Sequence, residues 1–320
     1  MVYETKVQRT SDGVVAERLG KRFGELWAVR DVSFAVPAGR VLGLLGHNGA
    51  GKTTALRILT TLAVPTEGRA EVAGFDVVGD AARVRASIGV AGQAATVDGL
   101  LTARANLEMV GRLYQMSRTE ARRRAGELLE RVGLADTDGK LVKALSGGMR
   151  RRLDLAAALV AAPPVVFLDE PTTGLDPRSR NELWDLLRSH VAGGATLVLT
   201  TQYLDEADRL ADDIVVLDHG RIAAHGTPAA LKQQFGSERV AVAVRHAAEL
   251  DVTAAALGEL AAGPPLIELA TRRVSAPIRS GVPLIAIVRA LDAAGIDVVD
   301  IQRHEVTLDD VFLTITKAAA

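Results

Sequence analysis

The sequence contains no cysteine among its 320 residues. The chain therefore has no disulfide framework, no thiolate zinc site and no thiol chemistry, and its composition fits a reducing cytosol. None of its six histidines forms an H-x-x-x-H pair, and the sequence has no G-x-S-x-G. Zinc hydrolases and serine esterases are therefore not indicated.

The sequence also lacks an excess of charge of either sign. Its 38 Lys and Arg residues are balanced by 39 Asp and Glu residues, for a formal net charge of −1. Since nucleic acids attract proteins largely through positive charge, we expect no nucleic-acid partner. We interpret the two arginine triplets, 122–124 and 150–152, as solvated helix faces, with a lipid-headgroup or partner contact as the alternative.

Long hydrophobic runs are missing as well. The uncharged run 155–168 has 14 residues and includes two prolines, whereas a membrane-spanning helix needs about 18–20 apolar residues. The first residues, Met-Val-Tyr-Glu-Thr-Lys, lack the apolar core of a secretory signal. We therefore expect a chain without a membrane span that resides in the cytoplasm.

What the sequence does contain is an alternation of strands and helices. The runs 41–45, 165–168 and 196–199 have the composition of strands buried on both faces, and a helical segment separates the last two. This is the βαβ pattern of a parallel sheet. Apolar residues at helical spacing from Thr102 to Val132 predict a helical subdomain, which we place at about 95–160.

The pattern changes toward the carboxyl end of the chain. Residues 214–217 and 221–224 are predicted to form a hairpin. Beyond it, residues 236–320 are predicted to form a separate small α+β domain with the order β-α-β-β-α-β, which is typical of a ferredoxin-like fold. A short amphipathic helix is expected at 308–315.

A glycine-rich loop follows the strand predicted at 41–45. It fits G-x-x-x-x-G-K-[ST] without a gap and precedes a predicted helix, which is the context in which this motif binds triphosphates. Backbone amides and the helix dipole favour phosphate oxygens, Lys52 adds a charge between the β- and γ-phosphates, and the Thr53 hydroxyl is a Mg²⁺ ligand. The predicted ATP-binding residues of the loop are Gly46, His47, Asn48, Gly49, Ala50, Gly51, Lys52, Thr53 and Thr54.

The strand predicted at 165–168 ends in two adjacent carboxylates, Asp169 and Glu170. In a nucleotide site, Asp169 holds Mg²⁺ through water and Glu170 accepts a proton from the attacking water. A strand that ends in Asp-Glu often marks only a loop edge, but the phosphate loop upstream favours the catalytic interpretation. The sequence therefore predicts an ATPase in which Lys52 and Glu170 are catalytic.

A third motif, Leu145-Ser-Gly-Gly-Met149, lies between these two. Ser146 is a natural helix N-cap, and Gly147 and Gly148 free their amides for a second anion site. With the phosphate loop and the Asp-Glu pair, this motif strongly resembles the signature of the ATP-binding subunits of ABC transporters, with Met149 in place of the more usual glutamine. The resemblance covers roughly residues 14–235.

The resemblance implies roles for further residues. Phe23 matches the aromatic residue that stacks on adenine, and Gln93 matches the glutamine that touches Mg²⁺ or the attacking water and hinges toward the membrane subunit. Asp176 matches a residue that crosses the dimer interface to the partner's phosphate loop, and Ser146, Gly147 and Gly148 match the signature that covers the partner's γ-phosphate. A core phenylalanine, a surface glutamine and an ordinary Asp-Pro turn are the alternatives for the first three positions.

One position departs from the family pattern. Most members carry a catalytic switch histidine that senses the γ-phosphate, and this chain has Gln202 there, whose amide donates a hydrogen bond but never becomes cationic. The strings at 147–152, 200–208 and 308–313 resemble the daunorubicin-resistance branch of exporter ATPases. Docking of Val311 and Phe312 on their own domain is an alternative for the last string.

These expectations combine into one hypothesis. The fold is an α/β P-loop NTPase core of the ABC type at 1–235, with a helical subdomain and the small domain at 236–320. The resemblance implies an ATP- and Mg²⁺-dependent ATPase that pairs with a second copy of itself and with a separate membrane permease, at the cytoplasmic face of the membrane, to export an apolar drug, antibiotic or lipid. A soluble ATPase clamp acting on translation or DNA-repair machinery is the alternative. A nucleotide-binding regulator without turnover is a third, which Lys52 and Glu170 disfavour.

Overall fold

The computed structural model describes residues 12–92, 96–235, 238–279, 281–304 and 306–312. The chain divides into two compact units, Met1–Thr227 and Pro228–Ala320. The sequence predicts this boundary at 235, whereas in the structure the helix Pro228–Phe235 groups with the second unit. Within the described ranges, no helix combines the length and the apolar character that crossing a bilayer requires.

The first unit alternates strands and helices along the chain. In chain order its elements are β1 (Asp12–Phe23), β2 (Leu26–Pro37), β3 (Val41–Leu45), α1 (Lys52–Leu59), β4 (Glu67–Val72), β5 (Phe75–Asp76), α2 (Ala81–Ser87), β6 (Ile88–Ala91), α3 (Ala103–Leu113), α4 (Arg118–Arg131), α5 (Gly147–Ala158), β7 (Val165–Asp169), α6 (Pro177–Ala192), β8 (Thr196–Thr201), α7 (Leu204–Leu210), β9 (Asp213–Asp218) and β10 (Arg221–Gly226).

Two sheets build this unit. One is antiparallel, with the strand order β2-β1-β4-β5, and the other has six strands in the order β10-β9-β3-β8-β7-β6. In the larger sheet, β9, β3, β8, β7 and β6 run parallel, and β10 closes the predicted hairpin with β9. Every residue of β3, β7 and β8 is buried, as expected for parallel strands covered on both faces.

The parallel arrangement decides where the polar residues meet. Leu45 at the end of β3 pairs with Thr201 of β8, and Asp169 at the end of β7 pairs with Thr200. The loops that leave these three neighbouring strands therefore start side by side. Ligands of parallel sheets bind outside the carboxyl ends of the strands, so the topology gathers the sequence motifs at one edge.

One apolar core joins the two sheets to α1. Ile58 and Leu59 of α1 and Phe167 of β7 are fully buried in it, together with Val14 of β1 and Leu44 of β3. Burial of a side chain of this size contributes roughly 1.5–3 kcal/mol. The loop between β3 and α1 is thus held at both ends by packed elements.

Side-chain caps fix the starts of the helices in the helical subdomain. Thr102, Ser117 and Ser146 each accept a hydrogen bond from the backbone N–H three residues further on, at 3.1, 3.2 and 3.2 Å. A Cβ added to Gly111 of α3 would lie 3.1 Å from the Cβ of Ala121 on α4, so the small residue allows these helices to pack closely. The N-cap role predicted for Ser146 is confirmed.

The second unit has the predicted β-α-β-β-α-β order after an initial helix. Its elements are α8 (Pro228–Phe235), β11 (Arg239–Val244), α9 (Leu250–Gly258), β12 (Leu266–Glu268), β13 (Arg273–Pro277), α10 (Leu284–Ala293) and β14 (Val298–His304). Its antiparallel sheet has the order β12-β13-β11-β14. Helical residues follow at 308–312, where Leu308 and Val311 are buried and Phe312 is half-buried, and the rest of the predicted terminal helix lies outside the described residues.

Candidate active site

The phosphate loop curls tightly between β3 and α1, and close approach requires glycine at two of its positions. A Cβ on Gly46 would lie 2.4 Å from the carbonyl oxygen of Leu217, and one on Gly51 would lie 2.4 Å from that of Ala28. Gly51 also has a φ of +106°, which favours glycine. The loop is thus pressed against β2 and β9, directly before the helix N-terminus at which phosphates bind.

Lys52 is buried at the start of α1, with 5% of its surface exposed. Its ammonium donates hydrogen bonds to the carbonyl oxygens of Gly46 (2.7 Å) and His47 (3.1 Å). Burial lowers the pKa of Lys52, and the nearby carboxylates of Glu170 and Asp169 oppose that shift. The loop therefore holds its cation between its own carbonyls and the carboxylates at the end of β7.

Asp169 is the centre of a hydrogen-bond network between the first turn of α1 and the ends of β7 and β8. Its Oδ1 accepts a hydrogen bond from Thr53 Oγ1 (3.4 Å) and a shorter one from the hydroxyl of Thr200. The Glu170 N–H in turn donates to Thr200 Oγ1 (3.1 Å) and to the Thr200 carbonyl (3.0 Å). Thr200 thus links the two acidic residues. Thr200 is not among the predicted site residues, although its position one residue before the end of β8 is a signal that could have found it.

Glu170 has a left-handed backbone, with a φ of +48°. This conformation costs roughly 1–2 kcal/mol for a residue with a Cβ, so the surroundings must impose it. The side chain lines two adjoining cavities. One, of about 200 Å³, is also lined by Ala28, Asn48, Gly49, Gly51, Lys52, Thr53 and Thr54. The other, of about 430 Å³, is also lined by Asn48, Arg151 and Thr173.

Six of the nine residues predicted in the phosphate loop line the smaller cavity: Asn48, Gly49, Gly51, Lys52, Thr53 and Thr54. The other three have different positions. The side chain of His47 faces the β9–β10 turn, where its Nε2 lies 2.9 Å from Asp218 Oδ1. Gly46 supplies a carbonyl to Lys52, and the Ala50 carbonyl accepts a hydrogen bond from the Gly220 N–H at 3.0 Å. These three residues therefore shape and anchor the loop.

Phe23 is exposed over 55% of its surface, at the end of the β1–β2 hairpin. The ammonium of Lys21 lies 5.3 Å from the centre of its ring. The same hairpin carries Ala28, which lines the cavity beside the phosphate loop. The alternative of a core phenylalanine is therefore wrong, and an accessible aromatic face is available on the strand pair that borders the loop.

The signature residues start α5 at the surface. Ser146 and Gly147 are exposed, and Gly148 is half-buried. Ser146 is not among the described residues that line the cavity at the phosphate loop of its own chain. The signature residues and the phosphate loop therefore lie at separate places on one chain.

Asp176 is exposed and forms the N-cap of α6. It accepts hydrogen bonds from the N–H of Ser179 (3.0 Å) and from its hydroxyl (2.7 Å). These bonds, the backbone one foremost, lower the pKa of Asp176. Pro177 occupies the first turn of the helix. The Asp-Pro pair thus starts a helix, and the carboxylate is kept ionised at the surface.

Of the two predicted glutamines, Gln202 lies within the described residues. Gln202 is exposed and directly follows β8, next to the strand that ends in Asp169. Its side chain therefore starts at the same sheet edge as Glu170 and the phosphate loop. Gln93 lies outside the described residues.

The prediction that both arginine triplets are solvated is wrong for three of the six side chains. Arg124 donates to the carbonyls of Leu159 (3.2 Å) and Val160 (3.1 Å), and Arg152 donates to that of Val132 (2.9 Å). Arg151 also points inward, with 13% of its side chain exposed. Leu159 and Val132 cap the carboxyl ends of α5 and α4. The last carbonyls of a helix have no intrahelical partners, and here arginines of the neighbouring helix donate hydrogen bonds to them.

The fold and the site together define a P-loop ATPase of the ATP-binding cassette class. The sequence profile of the ABC transporter family matches residues 29–173, and the chain belongs to this family. It is similar to the daunorubicin resistance ATP-binding protein DrrA2 of Streptomyces coeruleorubidus, with 51% identity over 95% of this chain and 94% of the relative. It is also similar to the doxorubicin resistance ATP-binding protein DrrA of Mycobacterium tuberculosis, with 47% identity over 92% of this chain and 89% of that one.

A solved structure supports the same assignment. The chain resembles the dimeric structure of MJ0796, a bacterial ABC transporter cassette, with a TM-score of 0.62 and 28% identity over 67% of this chain and 98% of the cassette. The protein is therefore a nucleotide-binding ATP hydrolase of the kind that is coupled to transport, and the predicted fold class is confirmed.

Proposed function

We propose that this chain is the ATP-hydrolysing subunit of an ABC exporter that drives a hydrophobic drug, antibiotic or lipid through a separate membrane permease. The observation that carries the proposal is identity near one half with drug-resistance ATP-binding proteins over more than nine-tenths of the chain. Similarity of this extent includes the second unit as well as the ATPase core. An anthracycline-like compound, apolar and aromatic, is the substrate class that these relatives suggest.

The geometry supports a hydrolysis mechanism at the edge of the parallel sheet. Lys52 shifts its hydrogen bonds from the Gly46 and His47 carbonyls to the β- and γ-phosphates, at the positive end of α1. Glu170, which lines both the 200 Å³ and the 430 Å³ cavity, accepts the proton of the attacking water. Gln202 donates a neutral hydrogen bond to the γ-phosphate, and Phe23 stacks on adenine.

The donor set beside the loop fits Mg²⁺. Thr53 Oγ1 and Asp169 Oδ1 lie 3.4 Å apart, and both are hard oxygen ligands of the kind that Mg²⁺ prefers. Thr53 would hold the ion directly and Asp169 through water, with Gln93 as a further oxygen donor. The bound ion supplies charge neutralisation for the phosphate oxygens.

A second copy of the chain completes the site. The signature residues 146–148 do not join the described lining of the phosphate cavity in their own chain, and they begin a helix, whose N-terminus favours an anion. We infer that this helix start covers the γ-phosphate on the partner copy, with Asp176 near the partner's phosphate loop. ATP then closes the dimer, and hydrolysis reopens it.

We propose that the energy of this cycle is passed to a membrane permease. We place the chain at the cytoplasmic face of the membrane, bound to that permease. Gln93 and the helical subdomain after it are the proposed contact.

Drug accumulation in a sensitive host tests the proposal. The chain is expressed together with a candidate permease, and the cellular content of daunorubicin is measured by fluorescence. The wild-type pair should lower accumulation, Glu170→Gln should not, and the exposed-site variant Glu67→Gln should behave like wild type. Equal accumulation with wild type and Glu170→Gln, for daunorubicin and for a panel of other apolar drugs and lipids, would refute the export function.

A further inference from the structure

Arg151 joins the signature helix to the acidic end of β7. It lies in α5, five positions after the N-cap Ser146, and its side chain points away from solvent. A guanidinium has five N–H donors in a fixed plane. In this structure it donates four hydrogen bonds to main-chain carbonyls, and its Nη1 also lies 3.7 Å from the Asp154 carboxylate.

Three of these acceptors are successive main-chain carbonyls. Arg151 Nε donates to the carbonyl of Pro171 (2.8 Å), and Nη2 donates to those of Asp169 (3.0 Å) and Glu170 (3.0 Å). Three carbonyls in a row turn toward one side chain because Glu170 has the left-handed backbone described above. The guanidinium thus binds the turn that carries the proposed proton acceptor.

The remaining donors reach two other segments. Nη1 donates to the carbonyl of Gly92 and lies 3.7 Å from Asp154 Oδ2. Asp154 is fully buried, and its Oδ1 accepts hydrogen bonds from the N–H (2.7 Å) and the hydroxyl (2.5 Å) of Thr96. Burial lowers the pKa of Arg151, and the carboxylates of Asp154 and Asp169 oppose that shift. The positive charge of Arg151 is therefore offset by nearby carboxylates.

We propose that Arg151 is a positioning residue that holds Glu170 in its left-handed conformation and ties it to the start of the signature helix. The proposal rests on the proposed function, since it assigns Glu170 as the proton acceptor. Loss of the guanidinium leaves the carbonyls of Asp169, Glu170 and Pro171 without this donor. The turn then relaxes toward an ordinary backbone conformation, and the Glu170 carboxylate leaves its position.

The contacts of Arg151 also couple the start of the signature helix to Glu170. Ser146 begins the same helix that carries Arg151, so a shift of the helix start against a bound γ-phosphate moves the guanidinium as well. Because Arg151 contacts the carbonyl of Glu170 itself, that shift reaches the proton acceptor without an intermediate residue. The chain thus has a direct physical route by which engagement of the signature sets the position of Glu170.

Steady-state kinetics on the full-length chain test the proposal. Arg151→Met removes all five donors, and Arg151→Lys keeps the charge but has three donors on one atom. We expect kcat of both variants to fall by about 10²-fold, as is typical of a misplacement of about 1 Å, while Kd for ATP changes by less than about threefold. Arg150→Met, an exposed neighbour on the same helix, is the matched control and should retain wild-type kcat.

A double mutant separates positioning from stability. If Arg151 acts through Glu170, Arg151→Lys should lower kcat by less than about threefold in a Glu170→Gln background, because the two losses share one cause. A further full loss in that background would overturn the proposal, as would wild-type kcat in Arg151→Lys with native circular dichroism.

Chemical rescue covers the case in which the methionine variant does not fold. In Arg151→Ala, added methylguanidinium should restore part of kcat, since the site opens onto the cavity that Glu170 also lines, whereas methylammonium should not. Equal effects of both compounds would contradict a positioning role.

If the wild-type chain hydrolyses no ATP, the proposed function fails, whereas normal turnover in both wild type and Arg151→Met defeats only the role of Arg151.

Discussion

The hydroxyl of Thr53 donates a hydrogen bond to Asp169 Oδ1 across 3.4 Å, although 116 residues separate them in the chain. The contact exists because β3 and β7 flank β8 in one parallel sheet, so that the loop after β3 and the end of β7 meet. It joins the phosphate loop to the acidic pair.

Glu170→Gln should keep ATP binding and nearly abolish turnover. The amide has almost the same shape but is no longer a proton acceptor, so we expect kcat to fall by at least about 10²-fold. Steady-state hydrolysis and size exclusion with ATP measure this, and the stalled chain should elute as a dimer. Near-normal turnover would show that another group takes the proton.

Phe23→Ala should weaken ATP binding by about 1–3 kcal/mol, the range found for aromatic stacking on a base. The exposed ring makes this separable from folding, because little core packing is lost. Titrations with ATP and with inorganic triphosphate provide the comparison. An equal loss for both ligands would mean that the ring does not contact adenine.

Gln202 offers the γ-phosphate a neutral hydrogen bond, whereas a charge-assisted bond is roughly twice as strong. We therefore expect Gln202→Ala to lower kcat and Gln202→His to retain it. Only the histidine variant should gain a component of activity that titrates near about pH 6–7. Full activity of Gln202→Ala across the pH profile would exclude a role for this side chain.

The buried carboxyl of Glu206 should make the stability of the folded chain depend on pH. Burial raises its pKa above the ordinary 4.5, against the opposing hydrogen bonds from residues that include Trp184 and Thr172. The folded chain therefore binds this proton more tightly than the unfolded chain, so the stabilisation is complete below the unfolded pKa and is lost as pH rises through the folded pKa.

Glu206→Gln should remove this dependence. A neutral amide accepts from Trp184 Nε1 and donates to Thr172 Oγ1, so the contacts are retained. Between about pH 5 and about pH 8, Tm should fall less for this variant than for wild type. The exposed-site variant Glu67→Gln is the control and should follow wild type. Identical slopes for Glu206→Gln and wild type would contradict the prediction.

The second unit contains none of the nucleotide motifs, so a chain that ends at Thr227 should bind ATP with near-normal affinity. We expect it to dimerise more weakly or to respond less to the permease. Nucleotide titration, self-association and permease-stimulated hydrolysis compare it with the full chain. A chain that ends at Phe235 tests whether α8 belongs with the first unit. If a folded 1–227 chain does not bind ATP, the boundary at Thr227 is wrong.

The local features of the site could be predicted from the sequence. The glycines at 46 and 51, the N-cap at Ser146 and the buried strands predicted at 41–45 and 165–168 follow from neighbouring residues alone. These features depend on backbone sterics, capping and apolar composition, all of which act over a few residues. The motifs by themselves therefore indicate an ABC-type ATPase.

Only the tertiary structure decided which distant groups touch. Thr200 attracts no notice in the sequence, yet its hydroxyl lies between Asp169 and Glu170 because β8 is the neighbour of β7. Arg151 belongs to a triplet that sequence patterning assigns to solvent, yet it turns inward to the carbonyls of 169–171. The sequence by itself determined the motifs and the class of chemistry, since these depend on local order along the chain. Strand adjacency and the packing of helix ends determined the contacts, since a buried donor binds whichever carbonyl the fold brings to it.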